Sequence, residues 1–197
     1  MMQELSFKIA KWLEQEGAIS GKDNKLFSYA VYSFLFGLLP IFIVMILGLA
    51  FGMLQEGLLM ITPFMLIRKF SGGYHLDSPK LCVILSITLL ALAMGLIRLI
   101  IQGEHTALLT GLVSLSVICI CVFSPIDNNS RKLTEKEQQL FRKIACAIAI
   151  ISLVGYLVMC KEIPIQYAAS FGVGIILVAV LQILGVVAKS SVLILRI

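Results

Sequence analysis

Charged residues divide this chain into long apolar runs. Leu26 to Gln55 holds no charged residue at all. Leu81 to Ile97 is uncharged and continues past Arg98 to Gly103, Thr106 to Ile126 is uncharged, and Ile144 to Cys160 and Ile163 to Ala188 follow. A helix needs about 20 such residues to cross the hydrocarbon core of a bilayer. Each of these runs therefore predicts a span. The run Gly57 to Ile67 is too short alone, and two readings repair it. It is a half-helix or re-entrant segment lined by protein, or the first span ends near Gly48 and the second runs from about Leu49 to Ile67 with Glu56 inside it. The pattern leaves both open.

The positive charges between the runs alternate in density. Lys8, Lys11, Lys22 and Lys25 precede the first span, and the first loop has no Lys or Arg. The next loop, 68–80, carries Arg68, Lys69 and Lys80, and the one after it only Arg98. The loop 124–143 carries Arg131, Lys132, Lys136, Arg142 and Lys143, the next only Lys161, and the tail Lys189 and Arg196. Lys and Arg collect on the cytoplasmic side of membrane proteins. The alternation predicts an all-α polytopic fold with six transmembrane helices, the second short or re-entrant, and both termini inside. Fourteen of the sixteen positive charges fall on that side.

The first 25 residues do not have the form of a cleavable signal, because Glu and Lys are mixed and no apolar core precedes Leu26. Leu5, Ile9, Trp12 and Leu13 instead share one helical face. That face predicts an amphipathic helix, either lying in the membrane interface or packing on the protein's own loops. Residues 1–25 are thus a cytoplasmic amphipathic helix and link, and 26–197 a membrane domain with cytoplasmic loops 68–80 and 124–143. In the second of these loops, Thr134 and Glu137 have the spacing of a capping box, which starts a short helix feeding the fifth span.

Composition agrees. Of 197 residues, 59% are hydrophobic and 14% charged, and the mean hydropathy is +1.01. A soluble domain is roughly a quarter charged. This chain lacks the charge to cover a water-facing surface, which excludes ordinary soluble, disordered and collagen-like classes. No phosphate-cradling glycine loop and no metal-ligand spacing occurs, so the sequence points to no metal, no cofactor and no nucleic-acid partner. Gly48 and Gly52 form one GxxxG, a weak pointer to helix pairing and to a homodimer.

Five cysteines, an odd number, argue against a disulfide framework. Cys119, Cys121, Cys146 and Cys160 lie in apolar runs and read as small buried residues. Cys82 does not. It ends the stretch Arg68-Lys69-Phe70-Ser71-Gly72-Gly73-Tyr74-His75-Leu76-Asp77-Ser78-Pro79-Lys80-Leu81-Cys82. Ser78-Pro79 reads as an N-cap followed by proline in the first turn of a helix, which puts Cys82 in that turn or just beyond it. The positive end of the helix and the charge of Lys80 both favour a thiolate, and His75 is a nearby base. His75 and Cys82 are seven residues apart. One straight helix would hold them about 10 Å apart along its axis, so the chain must fold back between them. Gly72 and Gly73 permit close backbone approach and serve either as a loop former or as oxyanion donors. The other histidine, His105, sits beside Glu104 in an outside loop and reads as solvated.

The run from Arg68 to Cys82, with Gly72-Gly73, His75 and Cys82 in this spacing, resembles the signature of the accessory gene regulator B (AgrB) family. These are bacterial membrane cysteine endopeptidases of quorum sensing. The size, the six spans and the basic loop opening Ser124-Pro125-Ile126-Asp127 are similar too. The resemblance implies that Cys82 is the nucleophile and His75 the base and acid. The substrate would be an AgrD-type precursor peptide, cut before its C-terminal tail and held as a thioester on Cys82. A substrate cysteine would then take the acyl group and close a thiolactone ring. Arg68, Lys69, Lys80, Arg131 and Lys132 would meet an acidic substrate tail or anionic lipid, and Asp77 or Asp127 is a candidate to orient His75. The competing reading is a non-enzymatic peptide exporter or scaffold. Against it stand the absence of internal repeats and the scarcity of polar groups in the spans.

Overall fold

The computed structural model describes residues 2–17, 24–72, 78–103, 106–126 and 134–194. Seven helices follow one another among them: α1 (Met2–Gln15), α2 (Asn24–Phe51), α3 (Leu54–Ser71), α4 (Pro79–Gly103), α5 (Thr106–Phe123), α6 (Glu135–Glu162) and α7 (Ile165–Ile194). Among the described residues, five stretches are long and apolar enough to cross a membrane: Asn24–Phe51, Leu81–Gly103, Thr106–Phe123, Glu135–Glu162 and Ile165–Val187. Large side chains such as Ile46, Leu49, Leu92, Leu99 and Ile151 are 65–69% exposed. Soluble proteins rarely expose large apolar side chains in such number. The chain is a helical, multi-pass membrane protein.

The chain divides into two compact units, Met1–Ile43 and Val44–Ile197. In the first, the N-terminal amphipathic pattern forms the expected helix. Ser6 and Ala10 of α1 are buried, Ile9 and Leu13 are half-buried, and Leu5, Phe7 and Trp12 stay exposed. Asn24 Nδ2 donates to the Glu14 carboxylate, tying the end of α1 to the start of α2.

The second unit is built around α7, which packs against α3, α4, α5 and α6. Its apolar window is 56% buried, against 17–28% for the other four candidate spans. Small residues make this central position possible. A methyl group at Gly174 would overlap the Met60 carbonyl oxygen of α3, and one at Gly172 would lie 2.8 Å from the Tyr156 ring of α6. Helix backbones gain dispersion energy by approaching this closely where no side chain intervenes. Pro63, whose ring is also against Gly174, lies inside α3.

The α2–α3 junction fixes where one helix ends and the next begins between Gly48 and Gly57. Gly52 has φ +65°, its N–H donates to Leu49 O, and the Met53 N–H donates to Gly48 O. These are the two bonds of a Schellman stop, so α2 ends at Phe51, three residues beyond Gly48. A methyl group at Gly48 would lie 2.9 Å from the Leu54 Cα of the next helix. Both glycines of the GxxxG thus have a local role in one tight turn. The segment read as a short run or re-entrant half-helix is one continuous 18-residue helix. It begins five residues after Leu49, has Glu56 in its first turn and carries Arg68 and Lys69 in its last. The loop expected at 68–80 is accordingly shorter, since Arg68 to Ser71 are helical and α4 starts at Pro79. Likewise Lys136, Arg142 and Lys143 are on α6, not in a loop.

Candidate active site

Three helices meet the expected nucleophile's end of the bundle, and each is fixed by an identifiable local signal. The α4 helix starts at Pro79, and the Cys82 N–H donates to the Ser78 carbonyl at 3.0 Å. Ser78 therefore stands at the cap position and Pro79, which has no N–H to lose, at the first helical one. Cys82 is half-buried and its thiol is free. It lies close enough to the Arg68 guanidinium for the two to interact electrostatically. Arg68 is half-buried in the last turn of α3, with its guanidinium carbon 5.3 Å from the Phe64 ring centroid. Next to it, Phe70 meets Phe141 of α6 edge-on at 6.1 Å. The start of α6 is set by the expected capping box, with Thr134 and Glu137 bonded reciprocally. The Thr134 N–H donates to Glu137 Oε2 at 2.9 Å.

The end of α3 is joined to the end of α5. Gly72, at φ +73°, pairs with Ile126, and the Ile126 N–H donates to the Ser71 carbonyl at 3.0 Å. A Cβ at Gly72 would lie 2.5 Å from Ile126 O. Glycine is thus required twice, by the left-handed backbone and by the close approach. From α7, the fully buried Gln182 reaches both ends. Its Nε2 donates to the Ser124 hydroxyl at 2.8 Å and to the Ser71 carbonyl at 3.4 Å. The Ser124–Pro125 peptide bond beside this contact is cis.

The opposite end of the bundle has its own polar ties. Tyr167 donates to Gln55 Oε1 at 2.7 Å, between the starts of α7 and α3. The hydroxyls of Thr110 in α5 and Tyr156 in α6 are 3.1 Å apart.

Of the residues expected from sequence, Cys82, Arg68 and Gly72 come together at one end, with Lys69 on the same last turn of α3. Lys80 is in the first turn of α4. His75, Gly73, Asp77, Asp127, Arg131, Lys132, Glu104 and His105 lie outside the described residues. Sequence reasoning missed Gln182, and with it the Ser71–Ile126 and Ser124 contacts. One signal was available, since Gln182 is a carboxamide in the apolar run Gly174 to Ala188, and a strongly polar group inside a span marks a site that needs a named partner. Among the described residues no group of three or more His, Cys, Asp or Glu side chains is placed to hold a metal ion.

Known proteins give the arrangement a family. The chain is 26% identical over 160 residues to "Putative AgrB-like protein 2" of Clostridium perfringens strain 13, covering 78% of this chain and 74% of that one. It is also 26% identical over 162 residues to "Putative AgrB-like protein" of Clostridium perfringens strain SM101, with the same coverage of 78% and 74%. No solved structure matches. The sequence model described as Accessory gene regulator B matches residues 6–186, which takes in the α3 end, Cys82 and Gln182. The chain belongs to the accessory gene regulator B family, whose members process signalling peptides in quorum sensing.

Proposed function

We propose that this chain is a membrane cysteine endopeptidase that trims the C-terminal tail from an AgrD-type precursor and promotes its cyclisation to a thiolactone. The observation that supports this most is Cys82, a free thiol one turn into α4, within electrostatic reach of the half-buried Arg68. The Cys82 sulfur attacks the scissile carbonyl carbon. The carbon–nitrogen bond breaks, and the leaving amine takes a proton from His75. The leader-side fragment stays on Cys82 as a thioester. A cysteine thiol of that fragment then attacks the thioester carbonyl, passing its proton to His75, and Cys82 leaves as thiolate. One thioester replaces another, so the exchange is near thermoneutral and succeeds only where water is kept from the acyl carbon. Arg68 meets the negative charge that sulfur carries on attack. His75 is three residues from Gly72 and three from Ser78. Chain length alone keeps its Cα within about 11 Å of both, which is compatible with a fold-back towards Cys82.

On this reading α3 is the sixth span. Its 18 residues extend about 27 Å, close to the thickness of the hydrocarbon core. By the distribution of Lys and Arg along the chain, both termini and the Cys82 end face the cytoplasm, and Arg68, Lys69, Lys80, Arg131 and Lys132 receive an acidic tail. Protein in liposomes, given an AgrD-type precursor with an amphipathic leader, an internal cysteine and an acidic tail, tests it. Cys82→Ala abolishes cleavage and His75→Ala lowers it about 100-fold or more. Parental rates in either variant overturn the assignment of that residue.

A further inference from the structure

The α3 end carries the loop that holds His75, and the α5 end opens the loop that holds Asp127. The two ends meet directly where Gly72 pairs with Ile126. A further tie comes from α7, by a residue otherwise costly at its position. A carboxamide buried in an apolar helix loses its water and recovers little unless it is bonded. Gln182 is 0% exposed, and its Oε1 meets no donor among the described residues. An apolar residue of the same shape would remove that cost, so a role in holding the fold alone accounts poorly for it. Its two N–H bonds go to Ser124 Oγ and to the Ser71 carbonyl, in residues that are themselves 5% and 0% exposed. The Ser71 carbonyl also takes the Ile126 N–H, so one oxygen joins three elements. Ser71 is three residues beyond Arg68 in the same last turn of α3. A shift of this end moves Arg68 relative to Cys82 and moves the root of the His75 loop.

We infer that Gln182 is a positioning residue of the peptidase site: its buried amide locks the Ser71 carbonyl to Ser124 and so fixes the last turn of α3, which carries Arg68, relative to Cys82. The inference rests on the peptidase reading for its chemical consequence but not for the lock itself. Its effect is on the catalytic step, because an ångström-scale displacement of a catalytic group slows chemistry without altering peptide docking.

The test uses the full chain in detergent or liposomes, with the precursor used for Cys82→Ala. In Gln182→Leu, amide hydrogen exchange of the segments around Ser71 and Ile126 accelerates about tenfold or more, while the thermal midpoint stays within a few degrees. In the same variant kcat falls about tenfold or more and KM stays within about twofold. Ser124→Ala keeps the α7 helix untouched and gives a smaller change of the same kind. The double variant is no worse than Gln182→Leu, since both remove one lock. If Gln182→Leu does not accumulate in membranes, Ser124→Ala alone decides by the same split between kcat and KM. Unchanged exchange overturns the lock. Faster exchange with parental kcat leaves the lock standing and overturns its positioning role. Should Cys82→Ala cleave normally, the peptidase reading has failed, and the exchange result still judges the lock.

Discussion

The middle of the bundle and its Cys82 end are held by different physics. In the middle, α3 and α7 approach backbone to backbone at Gly174 and Met60. That contact depends on shape, and any added atom disrupts it. At the Cys82 end the same two helices are joined by Gln182, the Ser71 carbonyl and Ser124, with the Ile126 N–H on the same carbonyl. Those bonds are directional and individually modest. The difference teaches a division of labour. Close packing decides whether the helices assemble, and buried hydrogen bonds decide where the loops at one end are rooted.

The comparison can be broken at either region. The largest effect is expected at Gly174→Val, where the side chain must occupy the space of the Met60 carbonyl. Overpacking against backbone cannot be relieved by a rotamer change, so the account expects loss of folded protein from the membrane, measured by size exclusion in detergent. A second test falls at Gly72→Ala. Gly72, at φ +73° and ψ −156°, occupies a backbone region essentially reserved for glycine, which costs an L-residue about 1–3 kcal/mol, and the new Cβ lies 2.5 Å from Ile126 O. Cleavage should drop about tenfold or more with the thermal midpoint lowered by only a few degrees. A midpoint collapse like that of Gly174→Val would erase the distinction between the regions. The smallest effect is expected at Tyr156→Phe, far from the Cys82 end. It removes the 3.1 Å contact with Thr110, costing about 0.6 kcal/mol, as interhelical hydrogen bonds in membranes do, and leaves the cleavage rate unchanged.

The sequence carried the parts of this molecule that are encoded locally. Charge-free runs marked the long helices, Thr134 and Glu137 marked the start of α6, and Ser78-Pro79 marked the start of α4. The α3 helix was harder, because its run is interrupted by Glu56 at one end and by Arg68 and Lys69 at the other, so an apolar window alone truncates it. Its true start is set by the Gly52 turn, a backbone event that composition does not report. Cys82 stood out by its position beside a charged loop. Gln182 did not, because its partners Ser71 and Ser124 are 111 and 58 residues away, and such pairing leaves no periodic trace in the chain.

The central claim is that Cys82 forms the acyl bond. Protein mixed with precursor and quenched in acid within the first turnovers, then weighed intact, measures this most directly. The account predicts a species heavier by the leader-side fragment, mapping to Cys82, released by hydroxylamine and missing in Cys82→Ala. Cleavage that proceeds with no such species, and at the parental rate in Cys82→Ala, would contradict it.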